Sequence, residues 1–549
     1  MRRFLANRLL ASPWTWGLAT ALLLDLPFPI AGPMPPWRGA VAWVAILPIL
    51  VGVLAPVNVE RKDFIRRSAL GAYIGGVAWY LLNCYWIYAT MHIYGGIGPV
   101  ASSGILLLYS LVLGIYFGVF GLLVALARKA FGSWKIALLL VPFFWVALEF
   151  AASRITRVPW DQLGYSQVDN FLLTRLAPVT GVYGISFVLM VGNAMFAAAL
   201  LACPARRRWV LGCGGVLFAG GLQLGVLATP PASPTTAIAV LVQQNLDVDS
   251  NNDWFGPEWD SHTSEFVKRS LRTCGPAIRG MPGPHSAASL PQCVEPAPKP
   301  DLVAWPESPA PFREADPRFR RLMKELTSET QSPVIVGNIG TWQNGAVTEI
   351  FNSAEFVAPD GRFVGRYDKI HLVPFGEYVP YKGLIAFAGT LTQGVSSFSR
   401  GGLRKVFTAN GHSYGVFICY ESVFADEVRH FAKNGAEVFV NISDDGWYGD
   451  TSAPWQHLNM ARMRAIENDR WILRATNTGV TAAIDPDGRV TWSAPRHVLT
   501  SLAVGYGYRS GTTFYTRFGD VFAIGCGIIA IGALAFSALV LVRQRPRSA

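Results

Sequence analysis

Eight runs of roughly 20 mostly apolar residues constrain this chain more than any other feature, because ~20 such residues are what a helix needs to cross the hydrocarbon core of a bilayer. Seven lie before residue 230, at about 13–32, 39–58, 69–92, 98–127, 136–153, 173–203 and 209–229, and an eighth lies at about 520–542. Hydrophobic residues make up 51% of the 549 and charged residues only 15%. A soluble multi-domain protein would spread them; here they cluster. In the first run Asp25, Pro27 and Pro29 point to an irregular end at the interface. A cleaved signal peptide is the alternative there, but no small-residue cleavage site follows it.

Lysines and arginines set the expected orientation. They gather at the N-terminus (Arg2, Arg3, Arg8), in alternate loops (Arg61, Lys62, Arg66, Arg67; Arg128, Lys129, Lys135; Arg206, Arg207, Arg208) and in the tail (Arg543, Arg545, Arg547). Those segments hold 16 basic residues against two acidic ones, Glu60 and Asp63, while the rest of the chain holds 31 basic and 34 acidic. The positive-inside rule puts both termini in the cytoplasm, and seven crossings then put residues 231–518 outside. The net charge of +11 is therefore a topology signal. Without an aromatic-basic patch it points to no nucleic acid.

Three parts are expected: a membrane domain over 1–230, an extracytoplasmic domain over 231–518, and a last helix with a basic tail over 519–549. The middle part reads as α/β. Short apolar runs at Ala237 to Val242, Leu302 to Trp305, Val334 to Val336, Tyr414 to Cys419 and Val438 to Ile442 are plausible buried strands. Asp316 and Pro317 predict an N-cap and first-turn proline for a helix carrying Phe319, Leu322 and Leu326. Pro454 opens a second helix to about Arg474, with Leu458, Met460, Met463 and Ile466 on its apolar side. Pro-Asp-Gly turns at 359–361 and 486–488 predict hairpins. Cys274 to Pro300, rich in Pro, Gly, Ala and Ser, reads as an exposed insertion loop within 271–300.

Cys419 ends one strand-like run, Glu307 follows another, and Lys369 lies between them in the chain. A lone cysteine is more often a small buried hydrophobe. A nucleophilic one needs a base for its proton and a cation for the charge that develops, because a thiol with pKa near ~8.5 is mostly protonated at neutral pH. Glu307 can be that base and Lys369 that cation. His371 and His457 have no partners at metal-ligand spacing, so neither a metal nor a cofactor is expected.

The stretches around these residues carry a family likeness. WPE at Trp305 to Glu307, YDKIHLVPFGEYVP at Tyr367 to Pro380, CYE at Cys419 to Glu421, and DDGWYGD with PWQHLNMARMRAIE at Asp444 to Glu467 resemble the nitrilase superfamily and, within it, the apolipoprotein N-acyltransferase family. The membrane organisation extends the resemblance to nearly the whole chain. It implies a four-layer αββα sandwich on a membrane-helical bundle, with Glu307 as general base, Lys369 as oxyanion stabiliser and Cys419 as nucleophile.

It further implies a reaction in two halves in the bacterial inner membrane, with the catalytic domain on the periplasmic side. Cys419 takes an acyl chain from a phospholipid, usually phosphatidylethanolamine, and passes it from a thioester to the α-amine of the diacylglyceryl-cysteine of an apolipoprotein. Asn352 matches a family position near the site. Glu377 and Glu421 are candidates to orient Lys369. Trp254, Tyr420 and Trp447 are candidates to line the acyl or headgroup pocket. Leu384, Ile385 and Phe387, in the apolar stretch Tyr381 to Gly394, are candidates for an interfacial lid. A monomer is expected.

Two rival functions use the same residues differently. A tethered nitrilase-type amidase or ester hydrolase would pass the acyl group to water, and a lipid transporter would leave the three residues inert. Eight helices exceed what a tether requires, and few charged or broken mid-membrane segments argue against transport. Of seven cysteines, four lie in or beside apolar runs and Cys419 must stay free. Cys274 and Cys293 remain, on the oxidising side, as a candidate disulfide.

Overall fold

The computed structural model describes residues 12–59, 61–248, 259–272, 274–282, 290–293, 299–307, 310–378 and 398–543. Trp254 and the stretch read as a lid, 381–394, lie outside these residues. Helices form at all eight apolar runs: α1 (Pro13–Asp25), α2 (Pro36–Leu54), α3 (Phe64–Asn83), α4 (Pro99–Phe131), α5 (Trp134–Ile155), α6 (Val182–Leu201), α7 (Ala205–Leu227) and, after the α/β domain, Val521–Arg543.

Among the described residues, six of these are long and apolar enough to cross a membrane. The exceptions are α1 and α3, so eight is an approximate count. At 13 residues, α1 spans only about 20 Å. α3 has 20 residues, but Arg66 and Arg67 occupy its first turn. These two helices cross with their backbones nearly touching: a Cβ on Gly17 would lie 2.5 Å from the Gly71 carbonyl oxygen. Small residues permit that approach.

The α/β domain holds two sheets. One has the strand order β14-β1-β4-β5-β6-β7, built from β1 (Ala237–Gln243), β4 (Leu302–Ala304), β5 (Val334–Asn344), β6 (Val347–Val357), β7 (Phe363–Asp368) and β14 (Thr500–Tyr506). The other runs β3-β2-β13-β12-β11-β10-β9-β8, from β2 (Cys274–Arg279), β3 (Leu290–Cys293), β8 (Val406–Ala409), β9 (His412–Ile418), β10 (Val438–Ser443), β11 (Ile472–Thr476), β12 (Ala482–Ile484) and β13 (Val490–Ser493).

Strand alternation builds the layers. Ala239, Leu241, Leu302, Ala304, Ile335 and Phe356 face the second sheet, sharing a core with Val416, Ile418, Val440 and Ile472. Their neighbours Val240, Val242, Val303, Val334 and Val336 pack instead on Trp259 and Phe266 of α8 (Trp259–Leu271) and on Phe319, Leu322 and Leu326 of α9 (Pro317–Thr330). Helices α10 (Ala425–Lys433) and α11 (Ala453–Asn468) pack on the second sheet through Phe431, which meets Phe417, and Leu458. This is the expected αββα sandwich. The Asp316 side chain caps α9 by accepting from the Arg318 amide.

Two expectations change. The stretch 274–300 is not all loop, because β2 and β3 pair as an antiparallel hairpin that extends the second sheet through β13. The second helix stops at Asn468, where Asp469 turns left-handed at φ +52°, and Ile472 to Thr476 form strand β11 beside β10. Nor is α11 amphipathic. Every one of its residues is buried, because Leu458 and Ala465 pack in the sandwich while Met460, Met463 and Ile466 pack among the membrane helices.

Candidate active site

The ends of β4 and β7 bring Glu307 and Lys369 up to Asn352 in the middle of β6. Glu307 follows β4, behind Trp305, whose buried indole donates to Ser270 Oγ at 2.9 Å. Lys369 follows β7, and its amide donates to the Asn352 carbonyl on β6 at 2.9 Å. The Lys369 ammonium, 1% exposed, donates to Glu307 Oε1 at 3.0 Å and to Glu377 Oε1 at 2.9 Å. Asn352 Nδ2 donates to the same two oxygens at 2.7 and 2.6 Å. The second oxygen of each carboxylate takes a backbone amide, Asp444 on Glu307 at 2.9 Å and Val373 on Glu377 at 2.8 Å. Charges this deep persist only when paired and hydrogen-bonded.

Burial alone would push the Lys369 ammonium down, but Glu307 and Glu377, with Cys419 beyond them, outweigh it and hold its pKa well above the usual lysine value. The Cys419 thiol moves the same way for a different reason. Burial and then the Glu307 charge raise it well above the ordinary thiol range, and Lys369 offsets only part of that. The resting thiol is neutral at pH 7. A thiolate at Cys419 forms only if a base removes that proton.

Cys419 is the first residue of a 3₁₀ turn, Cys419–Val423, that leaves β9. Its backbone is left-handed at φ +49°, a conformation that costs a non-glycine residue ~1–3 kcal/mol and is kept only where surroundings enforce it. Glu421 is part of that enforcement. Its Oε2 accepts from the Ile418 amide at 2.8 Å, and its Oε1 accepts from Tyr367 Oη and from the Ile370 and His371 amides. It ties the Cys419 turn to the backbone carrying Lys369 without touching the ammonium. Of the two carboxylates expected to orient Lys369, only Glu377 contacts it.

The aromatic candidates separate. Tyr420 lies over Trp160, rings 6.4 Å apart and 23° from parallel, and its hydroxyl donates to the Arg157 carbonyl at 3.3 Å. Trp447 is 47% exposed and meets Tyr94 edge-on at 6.4 Å. Beneath the turn lies a buried set that sequence reasoning did not bring together, having weighed His457 only as a metal ligand: Asp445, His457 and Arg474, each with a side chain 0% exposed. Their letters stand in the DDGWYGD and PWQHLNM stretches and in β11, but their meeting requires three elements to pack.

A nitrilase-type carbon-nitrogen hydrolase domain seated on membrane-crossing helices is the class that this fold and site define. The family model for carbon-nitrogen hydrolases matches residues 293–503, and that for the apolipoprotein N-acyltransferase N-terminal domain matches residues 12–195. An apolipoprotein N-acyltransferase of Geobacter metallireducens is 33% identical over 528 residues, 94% of either chain. One of Nitrosomonas europaea is 31% identical over 504 residues, 89% of this chain and 93% of that one. A nitrilase-superfamily structure from Saccharomyces cerevisiae covers 50% of this chain and 92% of its own, at 15% identity and a TM-score of 0.35. The chain belongs to the apolipoprotein N-acyltransferase family, a family of multi-pass membrane enzymes.

Proposed function

We propose that the chain moves an acyl chain from a phospholipid to the α-amine of a diacylglyceryl-cysteine at the N-terminus of an apolipoprotein, through a thioester on Cys419. The observation that carries this reading is the buried Glu307–Lys369–Glu377 cluster bridged by Asn352, beside a cysteine in a left-handed turn. Glu307 takes the proton from Cys419 Sγ as the thiolate attacks the ester carbonyl. Lys369 and the Tyr420 amide hold the oxyanion. Collapse breaks the ester C–O bond, and the lysophospholipid leaves with the proton from Glu307. In the second half the amine attacks the thioester, Glu307 receives its proton, the C–S bond breaks, and Cys419 is reprotonated as the amide forms.

Location favours lipid on both sides of the reaction. Residues of the membrane domain that touch the catalytic domain include Asn83, Tyr85, Arg154, Arg157 and Asp169. They stand at the helix ends opposite the lysine and arginine clusters, which supports a periplasmic catalytic domain with cytoplasmic termini in an inner membrane. Trp160 also lines a largely apolar cavity between the helices, with Trp79, Phe117, Phe120 and Trp145, a suitable surface for an acyl chain next to Tyr420. Phosphatidylethanolamine is the donor to test first.

Incubating the purified protein with that lipid and a diacylated lipopeptide, then weighing the products, tests the proposal. A triacylated peptide with lysophospholipid and acyl-Cys419 is the expected result. Free fatty acid with unmodified peptide would identify a hydrolase instead.

A further inference from the structure

His457 meets the nucleophile from behind. Its Nε2 lies 3.0 Å from the carbonyl oxygen of Cys419 and 2.7 Å from Ser422 Oγ. Its Nδ1 lies 3.0 Å from Asp445 Oδ1 and 3.1 Å from Arg474 Nη2. Asp445 is held in turn by Arg474 Nη2 at 2.6 Å on one oxygen and by Ser443 Oγ at 2.8 Å on the other. The imidazole is fully buried, and Trp160 lies over it with ring centres 6.1 Å apart and planes 22° from parallel.

We infer that His457 is a positioning residue for the acyl transfer: its Nε2–H holds the Cys419 carbonyl and so fixes the left-handed turn from which the thiol is presented.

Three observations lead there. The Cys419 carbonyl can only accept, so its contact with Nε2 places the ring proton on that nitrogen; Nδ1 then accepts from Arg474 Nη2, whose charge also offsets the Asp445 oxygen facing Nδ1, and Asp445 accepts from Arg474 and Ser443. Burial, with Arg474 next to the ring, lowers the His457 pKa and keeps it neutral, so one ring nitrogen donates and the other accepts. The turn needs an external hold because Cys419 is not glycine and sits at φ +49°. Finally, the neighbouring residue Gln456 is anchored by donation to Asn83 Oδ1 at 3.0 Å, so the helix delivering the imidazole is itself fixed. The last contact of this buried set is the backbone of Cys419 and not its sulfur. Its work is geometric: a displacement of about 1 Å at a reacting atom costs ~100-fold in rate.

The role rests on Cys419 being the nucleophile, and the test separates the two ideas. Glutamine places an amide N–H close to the position of Nε2, whereas asparagine reaches only as far as Nδ1. Acyl-enzyme formation is followed by mass spectrometry on the full-length protein in phosphatidylethanolamine vesicles, for wild type, His457→Gln and His457→Asn, together with the donor KM and the thermal midpoint.

The expected result is acylation slowed ~100-fold in His457→Asn at unchanged KM, with His457→Gln within ~10-fold of wild type. Equal rates in the two variants, whether both fast or both slow, overturn the proposal, as does a glutamine variant that does not fold. A wild type that never acylates Cys419 overturns the nucleophile assignment and this role with it. An acylated wild type with indistinguishable variants overturns this role alone.

Discussion

Trp160, in the loop after α5, donates its indole N–H to Gln456 Oε1 on α11 at 2.9 Å. The contact joins the two halves of the molecule within one residue of His457. Gln456 also donates to the Asn83 side chain, which donates to Asp161 at 2.9 Å, so the chain of bonds passes from the membrane helices to the floor of the catalytic turn. Because α11 is buried on all sides, the seam between domains is part of the protein's interior. The catalytic domain is not a module on a tether.

Gln456→Leu is therefore expected to destabilise the whole molecule. It leaves Trp160 and Asn83 with buried polar groups unpaired, at ~1–3 kcal/mol for each orphaned group. Thermal unfolding in detergent checks this. A midpoint equal to wild type would show that the seam contributes nothing to stability.

Cys419→Ser is expected to abolish the acyl-enzyme, since a hydroxyl of far higher pKa is a poor match for a carboxylate base. On wild type purified from membranes, the Cys419 peptide should carry a hydroxylamine-labile acyl group. Its absence from every preparation would remove covalent catalysis.

Lys369→Ala is expected to slow thioester formation ~100- to 1000-fold through loss of oxyanion stabilisation, and Glu307→Gln ~100- to 10,000-fold through loss of the base. Asn352→Ala, which frees the two carboxylates from their bridge, should slow it less. Single-turnover acylation with fluorescent phospholipid ranks the three. Near-normal acylation in the Lys369 or Glu307 variant would take that residue out of the chemistry.

The pH response of the free thiol gives a sign test. Burial and Glu307 raise the Cys419 pKa, and Lys369 lowers it. Iodoacetamide should therefore alkylate wild type slowly at pH 8 and faster as pH rises above the ordinary thiol range. Replacing Glu307 with neutral glutamine removes a repelling charge, so the thiol pKa falls and alkylation at pH 8 speeds up while acyl transfer slows. Lys369→Ala shifts alkylation the other way. Both variants moving in the same direction would contradict the electrostatics derived for the site.

Much of this site was legible because its residues end strands. Glu307 follows one short apolar run and Cys419 ends another, and in a parallel-containing sheet strand ends are where a cleft forms. Asn352 and Glu377 were recognisable only through family likeness, as nothing in their spacing says that they share Lys369. Glu421 acts on the backbone next to Lys369 and not on its ammonium, a distinction that bonds to backbone amides leave no trace of in sequence. The sequence predicts an apolar side of Leu458, Met460, Met463 and Ile466 for α11, whereas all of its residues are buried. In the structure Arg464 pairs with Glu467, both 0% exposed, and Arg462 pairs with Asp169 from the membrane domain, so polar letters that normally mark a surface mark a buried seam. The hairpin at 274–293 was hidden by prolines and glycines, which read as loop although β2 and β3 lie at a sheet edge, where such residues are tolerated.

That hairpin carries the last prediction, a disulfide between Cys274 and Cys293. The antiparallel register sets these two residues directly opposite each other, with Gly275 against Gln292 and Ala277 against Leu290, and directly opposed residues in antiparallel strands have Cα atoms ~4.5–5.5 Å apart, within the range that a disulfide bridges. Non-reducing peptide mapping should recover the two cysteines as one linked pair. Closing a loop of this length stabilises by ~3 kcal/mol in the chain-entropy model, so Cys274→Ala with Cys293→Ala should lower the thermal midpoint. It should leave acylation intact. β2 stands five strand positions from β9 in the sheet, about 24 Å at ~4.8 Å per strand, and among the described residues none of the contacts given above for Glu307, Lys369 or the Cys419 turn passes through it. Free alkylation of both cysteines without reductant would exclude the bridge, and a double variant that folds but no longer acylates Cys419 would show that the edge hairpin reaches the site by a route the contacts do not reveal.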